Sequence, residues 1–99
     1  MGSLGSSIVT APERFDADRP WRLHPQVALR DESFGALAYH YGNRRLTFLR
    51  SRTLVELVEA LERFASASDA LDATIETSKR GSYERALARL AASEVIDAR

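Results

Sequence analysis

Residues 34–49 read FGALAYHYGNRRLTFL, and this alternating stretch decides the fold. With Gly42 and Asn43 at the centre of a tight turn, Tyr41 faces Arg44, Tyr39 faces Leu46 and Leu37 faces Phe48 across an antiparallel pair. Side chains alternate across a strand, so one face collects Leu37, Tyr39, Tyr41, Leu46 and Phe48, and the other Ala36, Ala38, His40, Arg45, Thr47 and Leu49. The small and polar second face is the one expected to meet solvent. A first strand over residues 26–30, joined by the short link 31–33, precedes the hairpin. A meander in chain order leaves the third strand, residues 44–49, on an open edge.

Beyond residue 50 the aromatics thin out and apolar spacing changes from two to three or four. Thr53 with Glu56 has the spacing of a capping box, followed by a stripe of Leu54, Leu57, Val58, Leu61 and Phe64. Ser66 and Asp69 open a short second helix through Leu71 and Ile75, which Lys79, Arg80 and Gly81 interrupt. Ser82 caps a third helix that turns Tyr83, Leu87, Leu90 and Ala91 inward; Val95 and Ile96 then pack back on the core. Three antiparallel strands followed by three helices make an α+β fold with one sheet face covered. Residues 1–14, rich in Gly and Ser, read as a flexible lead-in, which leaves one domain over residues 15–99.

Composition removes most chemistry. The chain has 99 residues, no cysteine, and 14 basic side chains against 14 acidic ones. Disulfides, thiolate metal sites and cysteine nucleophiles are excluded. The balanced charge offers no general attraction to nucleic acid or to an anionic membrane. No apolar run is long enough to span a bilayer, so the expectation is a soluble cytoplasmic protein. His24 and His40 show no ligand spacing, which predicts no metal site; His40 is placed on the polar sheet face and His24 at the surface. No GxSxG elbow or Gly-rich phosphate loop occurs, so neither catalysis nor a cofactor is expected.

What remains is surface. The edge stretch Arg45, Leu46, Thr47, Phe48 and Leu49 has neither Pro nor Lys to deter pairing, and so can accept a peptide as a fourth strand. Arg85 and Arg89 have no acidic residue three or four positions away and are free to meet an external anion. Together these suggest a groove between edge strand and third helix that receives an acidic segment.

Residues 19–30, RPWRLHPQVALR, and 34–49 resemble the mycofactocin-system peptide chaperones of the PqqD-like precursor-peptide recognition family. The resemblance implies a winged-helix-like recognition domain without catalysis. Such a domain binds the leader of a short ribosomal precursor peptide and presents it to a radical S-adenosylmethionine enzyme. It implies leader contacts along Arg45, Leu46, Thr47, Phe48 and Leu49, with Tyr83 and Leu87 as an apolar pocket and Arg85 and Arg89 pairing leader carboxylates. A winged helix can instead enter a DNA major groove as a small regulator, but phosphate contacts demand a basic surplus that this chain lacks. Exposed edges also permit strand pairing between copies, so monomer or weak dimer is expected.

Overall fold

The computed structural model describes residues 15–99; the lead-in expected over residues 1–14 lies outside the described residues. Strands β1 (Trp21–Leu23), β2 (Val27–Glu32), β3 (Gly35–His40) and β4 (Arg45–Leu49) precede α1 (Arg52–Ala60), α2 (Ala67–Thr74) and α3 (Arg80–Ala92), and β5 (Ile96–Ala98) ends the chain. The three-stranded sheet runs β2-β3-β4, all antiparallel, as the meander required. Its register matches the expectation, with Tyr39 opposite Leu46 and Leu37 opposite Phe48.

The turn is wider than two residues. The ladder ends at His40 opposite Arg45, and residues 41–44 close the loop with Arg44 at a φ of 67°. Arg44 N–H donates to the His40 carbonyl at 2.6 Å, and the His40 ring accepts at Nδ1 from the N–H groups of Gly42 and Asn43, both at 3.1 Å. Arg45 N–H donates to Asn43 Oδ1 at 2.9 Å. The two strands keep the same partners because the four-residue loop takes one residue from the end of each arm.

The expected faces are exchanged. Ala36, Ala38, His40 and Leu49 are buried, whereas Tyr39, Tyr41, Leu46 and Phe48 are between 38% and 57% exposed. The reason is close approach: α1 lies on β3, and alanines at positions 36 and 38 let its Val55, Leu57 and Val58 reach the sheet. Large aromatics on that side would hold the helix away. The core formed there joins Trp21, Leu61, Leu71, Leu87, Val95 and Ile96.

Helix starts also differ from expectation. Ser51, not Thr53, caps α1, its hydroxyl oxygen accepting from Leu54 N–H at 3.0 Å. Ser66 caps α2 as expected, accepting from Asp69 N–H at 3.0 Å. α3 begins at Arg80, before the expected cap Ser82. Arg80 tolerates that place because its guanidinium binds Asp72 at 2.7 Å and Glu84 at 2.8 Å. The hydrogen bond that Arg80 donates to Asp72 is the chief cause that holds its pKa above the usual arginine value. Replacing Ser51 with alanine should cost about 1 kcal/mol by thermal melting, while Thr53→Ala should cost much less.

A small second sheet joins the ends of the described chain. β1 pairs antiparallel with β5, Trp21 opposite Ala98 and Leu23 opposite Ile96, with Arg22 and Asp97 in an ion pair at 3.4 Å. Arg99 N–H donates to the Pro20 carbonyl at 3.1 Å. No helix of the described residues is long and apolar enough to cross a membrane.

Candidate functional site

Strand β4 is hydrogen-bonded to β3 alone, so its far edge carries N–H and C=O groups without a strand partner among the described residues. β2 is also an edge, yet it ends in Arg30, Asp31 and Glu32, of which Arg30 pairs with Glu32 at 2.8 Å and Asp31 with Arg52 at 3.4 Å. Charges of that kind discourage an incoming strand. β4 carries no acidic residue and is the more receptive edge.

The chain leaves β4 through Arg50 and enters α1 at once, which sets the strand end beside α3. Arg50, Ser51, Leu54, Ser82, Tyr83, Ala86 and Arg89 line an open cavity of about 210 Å³ there. Leu54 and Tyr83 are half-buried and give it an apolar floor; Arg50 and Arg89 give it two positive charges. Among the described residues neither arginine has an ion-pair partner. The geometry can take an extended segment along β4 and hold an acidic, partly apolar end between α1 and α3.

The structure divides the predicted site residues. Arg45, Leu46, Thr47 and Phe48 sit on the open strand, and Tyr83 and Arg89 line the cavity at its end. The side chain of Leu49 is fully buried, so only its main chain is available to a ligand. Leu87 is also fully buried and belongs to the core rather than to a pocket wall, because its position on α3 faces the sheet-covering layer. Arg85 does not join Arg89. It folds back toward Gly81, where an added Cβ would lie 3.5 Å from its Nη1, and it lines a separate cavity with Phe15, Glu84 and Ala88. Reading from the sequence missed Arg50 and Leu54 as cavity residues. Arg50 directly follows the edge stretch in the sequence; Leu54 was indistinguishable from the core stripe.

A second cluster was not foreseen. His24, His40 and Glu94 bring potential ligand atoms within 4.8 Å of one another, and the two imidazoles lie 4.3 Å apart. His40 is 4% exposed and its Nε2 has no hydrogen-bond partner; Glu94 Oε1 is 3.8 Å away. Both rings nevertheless accept backbone N–H groups at Nδ1, His24 from Gln26 at 3.0 Å and His40 from Gly42 and Asn43. A neutral ring that accepts at Nδ1 carries its proton on Nε2, where a metal would need a lone pair. The cluster therefore fits a structural role, His40 tying down the β3–β4 turn, and His40 is a buried residue rather than a member of a solvated face.

Comparison with known proteins bears on this geometry. Residues 20–97 match the model of the peptide chaperone MftB family. The chain is 45% identical over 83 residues to the peptide chaperone MftB of Mycobacterium tuberculosis, covering 83% of this chain and 76% of that protein. The peptide chaperone MftB of Mycobacterium ulcerans gives the same identity and coverage. With the peptide chaperone MftB of Mycolicibacterium smegmatis the identity is 46% over 92 residues, or 92% of this chain and 90% of that protein. No solved structure matches the chain.

Proposed function

The chain belongs to the peptide chaperone MftB family and is not an enzyme; from that premise we propose that β4 receives the leader of a short ribosomal precursor peptide as an added strand and that the chain delivers it to a radical S-adenosylmethionine maturase in mycofactocin biosynthesis. The observation that carries this reading is the open edge of β4 running into the cavity between α1 and α3. Main-chain pairing along the strand supplies affinity with little regard for sequence, and the cavity supplies selection. In this reading Tyr83 and Leu54 take an apolar leader residue, and Arg89 takes its carboxylates.

The test is a fluorescence anisotropy titration of labelled leader peptide, with labelled duplex DNA as the competing ligand class. Saturable leader binding with no DNA binding supports the proposal. Binding to DNA alone sinks it. Charge reversal refines the site: Arg89→Glu should weaken the leader about tenfold at low salt and less at high salt, as screening removes attraction and repulsion alike. Arg85→Glu, on the other cavity, should stay within about twofold of the unaltered chain.

A further inference from the structure

Among the described residues, the large apolar side chains left exposed are Phe34, Tyr39, Tyr41, Leu46 and Phe48, between 38% and 57% accessible. Tyr39, Leu46 and Phe48 share the outer side of the β2–β3–β4 sheet, opposite the helices. Phe34 joins them from the β2–β3 turn by stacking on Phe48, ring centres 5.6 Å apart and planes 16° apart. Soluble proteins seldom gather aromatics on one open face without a partner to cover it.

The border of this face narrows the choice of partner. Arg50 lies over the Phe48 ring at 5.3 Å, and Arg44 stands at the turn. Neither has an ion-pair partner among the described residues, whereas the acidic residue of the face, Glu32, is already paired with Arg30. The surface is apolar at its centre with uncompensated positive charge at its border. A second copy laid on it would bring arginines and no free carboxylate to meet them. A complementary partner has an apolar patch bordered by Asp or Glu.

We propose that the outer sheet face is the docking surface for the radical S-adenosylmethionine enzyme, through an apolar patch of that enzyme bordered by carboxylates. This rests on the function proposed above and assigns the two partners to different parts of one strand: the leader to the free edge of β4, the enzyme to its outward side chains. A leader strand at the edge lays its own outward side chains beside Leu46 and Phe48, so the enzyme meets a broader face once the leader is in place.

Two variants test this away from the leader edge. Tyr39→Glu lies on the central strand, and Phe34→Glu lies in the turn outside the ladder. Each sets a carboxylate against the enzyme's own. Binding of the purified enzyme, read by calorimetry, should weaken at least about tenfold, while leader anisotropy stays within about twofold. If Tyr39→Glu does not fold, Phe34→Glu alone decides. Unchanged enzyme affinity in the folded variants overturns the proposal. So does a concentration-dependent dimer in sedimentation that Tyr39→Glu dissociates while enzyme affinity holds, which would assign the face to a second copy. A chain that ignores the leader yet loses the enzyme on these substitutions would support the docking surface and overturn the leader reading.

Discussion

Gly35→Ala should unfold more readily than any single surface variant, with a loss of about 3 kcal/mol or more. Gly35 has a φ of 147°, and a Cβ built there would lie 2.1 Å from the Leu49 carbonyl oxygen and 2.9 Å from the Ser51 nitrogen. Both neighbours are backbone, so no side chain can swing aside. Relief requires moving the start of β3 from the junction of β4 and α1, the segment that also forms one wall of the candidate cavity. That junction is fastened by Arg52, whose Nη2 donates to the Gly35 carbonyl at 2.9 Å. In a domain of this size each kcal/mol lowers the melting midpoint by roughly 4 to 8 °C, so a fall of at least about 12 °C in a circular-dichroism melt is expected. Gly81→Ala is the internal control. Its nearest neighbour would be Arg85 Nη1 at 3.5 Å, an ordinary contact, and within α3 alanine should be neutral or stabilising by up to about 1 kcal/mol. Equal melts for the two variants would show that the close approach at Gly35 does not exist in solution.

The second large effect concerns the edge itself. Adjacent residues of an antiparallel strand direct their N–H groups to opposite sides, so of Leu46 and Thr47 one donates toward β3 and the other outward. Proline removes the donor at whichever site it occupies. At the outward position it should leave the melt close to that of the unaltered chain and weaken the leader about a hundredfold, by removing a pairing donor and obstructing the incoming strand. At the inward position it should break the β3–β4 ladder and cost about 3 kcal/mol of stability. Leu46→Ala and Thr47→Ala subtract the side-chain contribution. A proline variant that melts normally and binds the leader normally, found at the outward position, would end the strand-addition mechanism. Isothermal calorimetry and thermal melting on the four proteins settle the matter.

The parts of the fold legible in the sequence were those governed by local arithmetic. Register followed from the position of Gly42 and Asn43, since pairing across a hairpin is a fixed sum of residue numbers, and it held although the loop proved to be four residues long. Which face is buried did not follow. Alternation names two faces but not which one a helix covers, and hydrophobicity pointed to the aromatic one. Ala36 and Ala38 were the overlooked signal, because small residues at alternate positions permit the close approach of α1. Strands β1 and β5 are three residues each and separated by the whole domain, so no local period could reveal their pairing. At the candidate site the strand positions were readable because exposure of an edge is a matter of topology. The helix positions were not: Arg85 and Arg89, one turn apart and alike in sequence, lean to different cavities, and Leu87 is core. Such distinctions depend on how long side chains lie, which a helical repeat does not specify.

The pairing of Trp21–Leu23 with Ile96–Ala98 has an engineering consequence. Because these two ribbons run side by side, a few linking residues would suffice to join them, and the chain could be reopened at a solvent-facing loop with its internal contacts preserved. For the same reason the unit can be spliced into the surface of another protein through two neighbouring attachment points, with its receptive edge left intact.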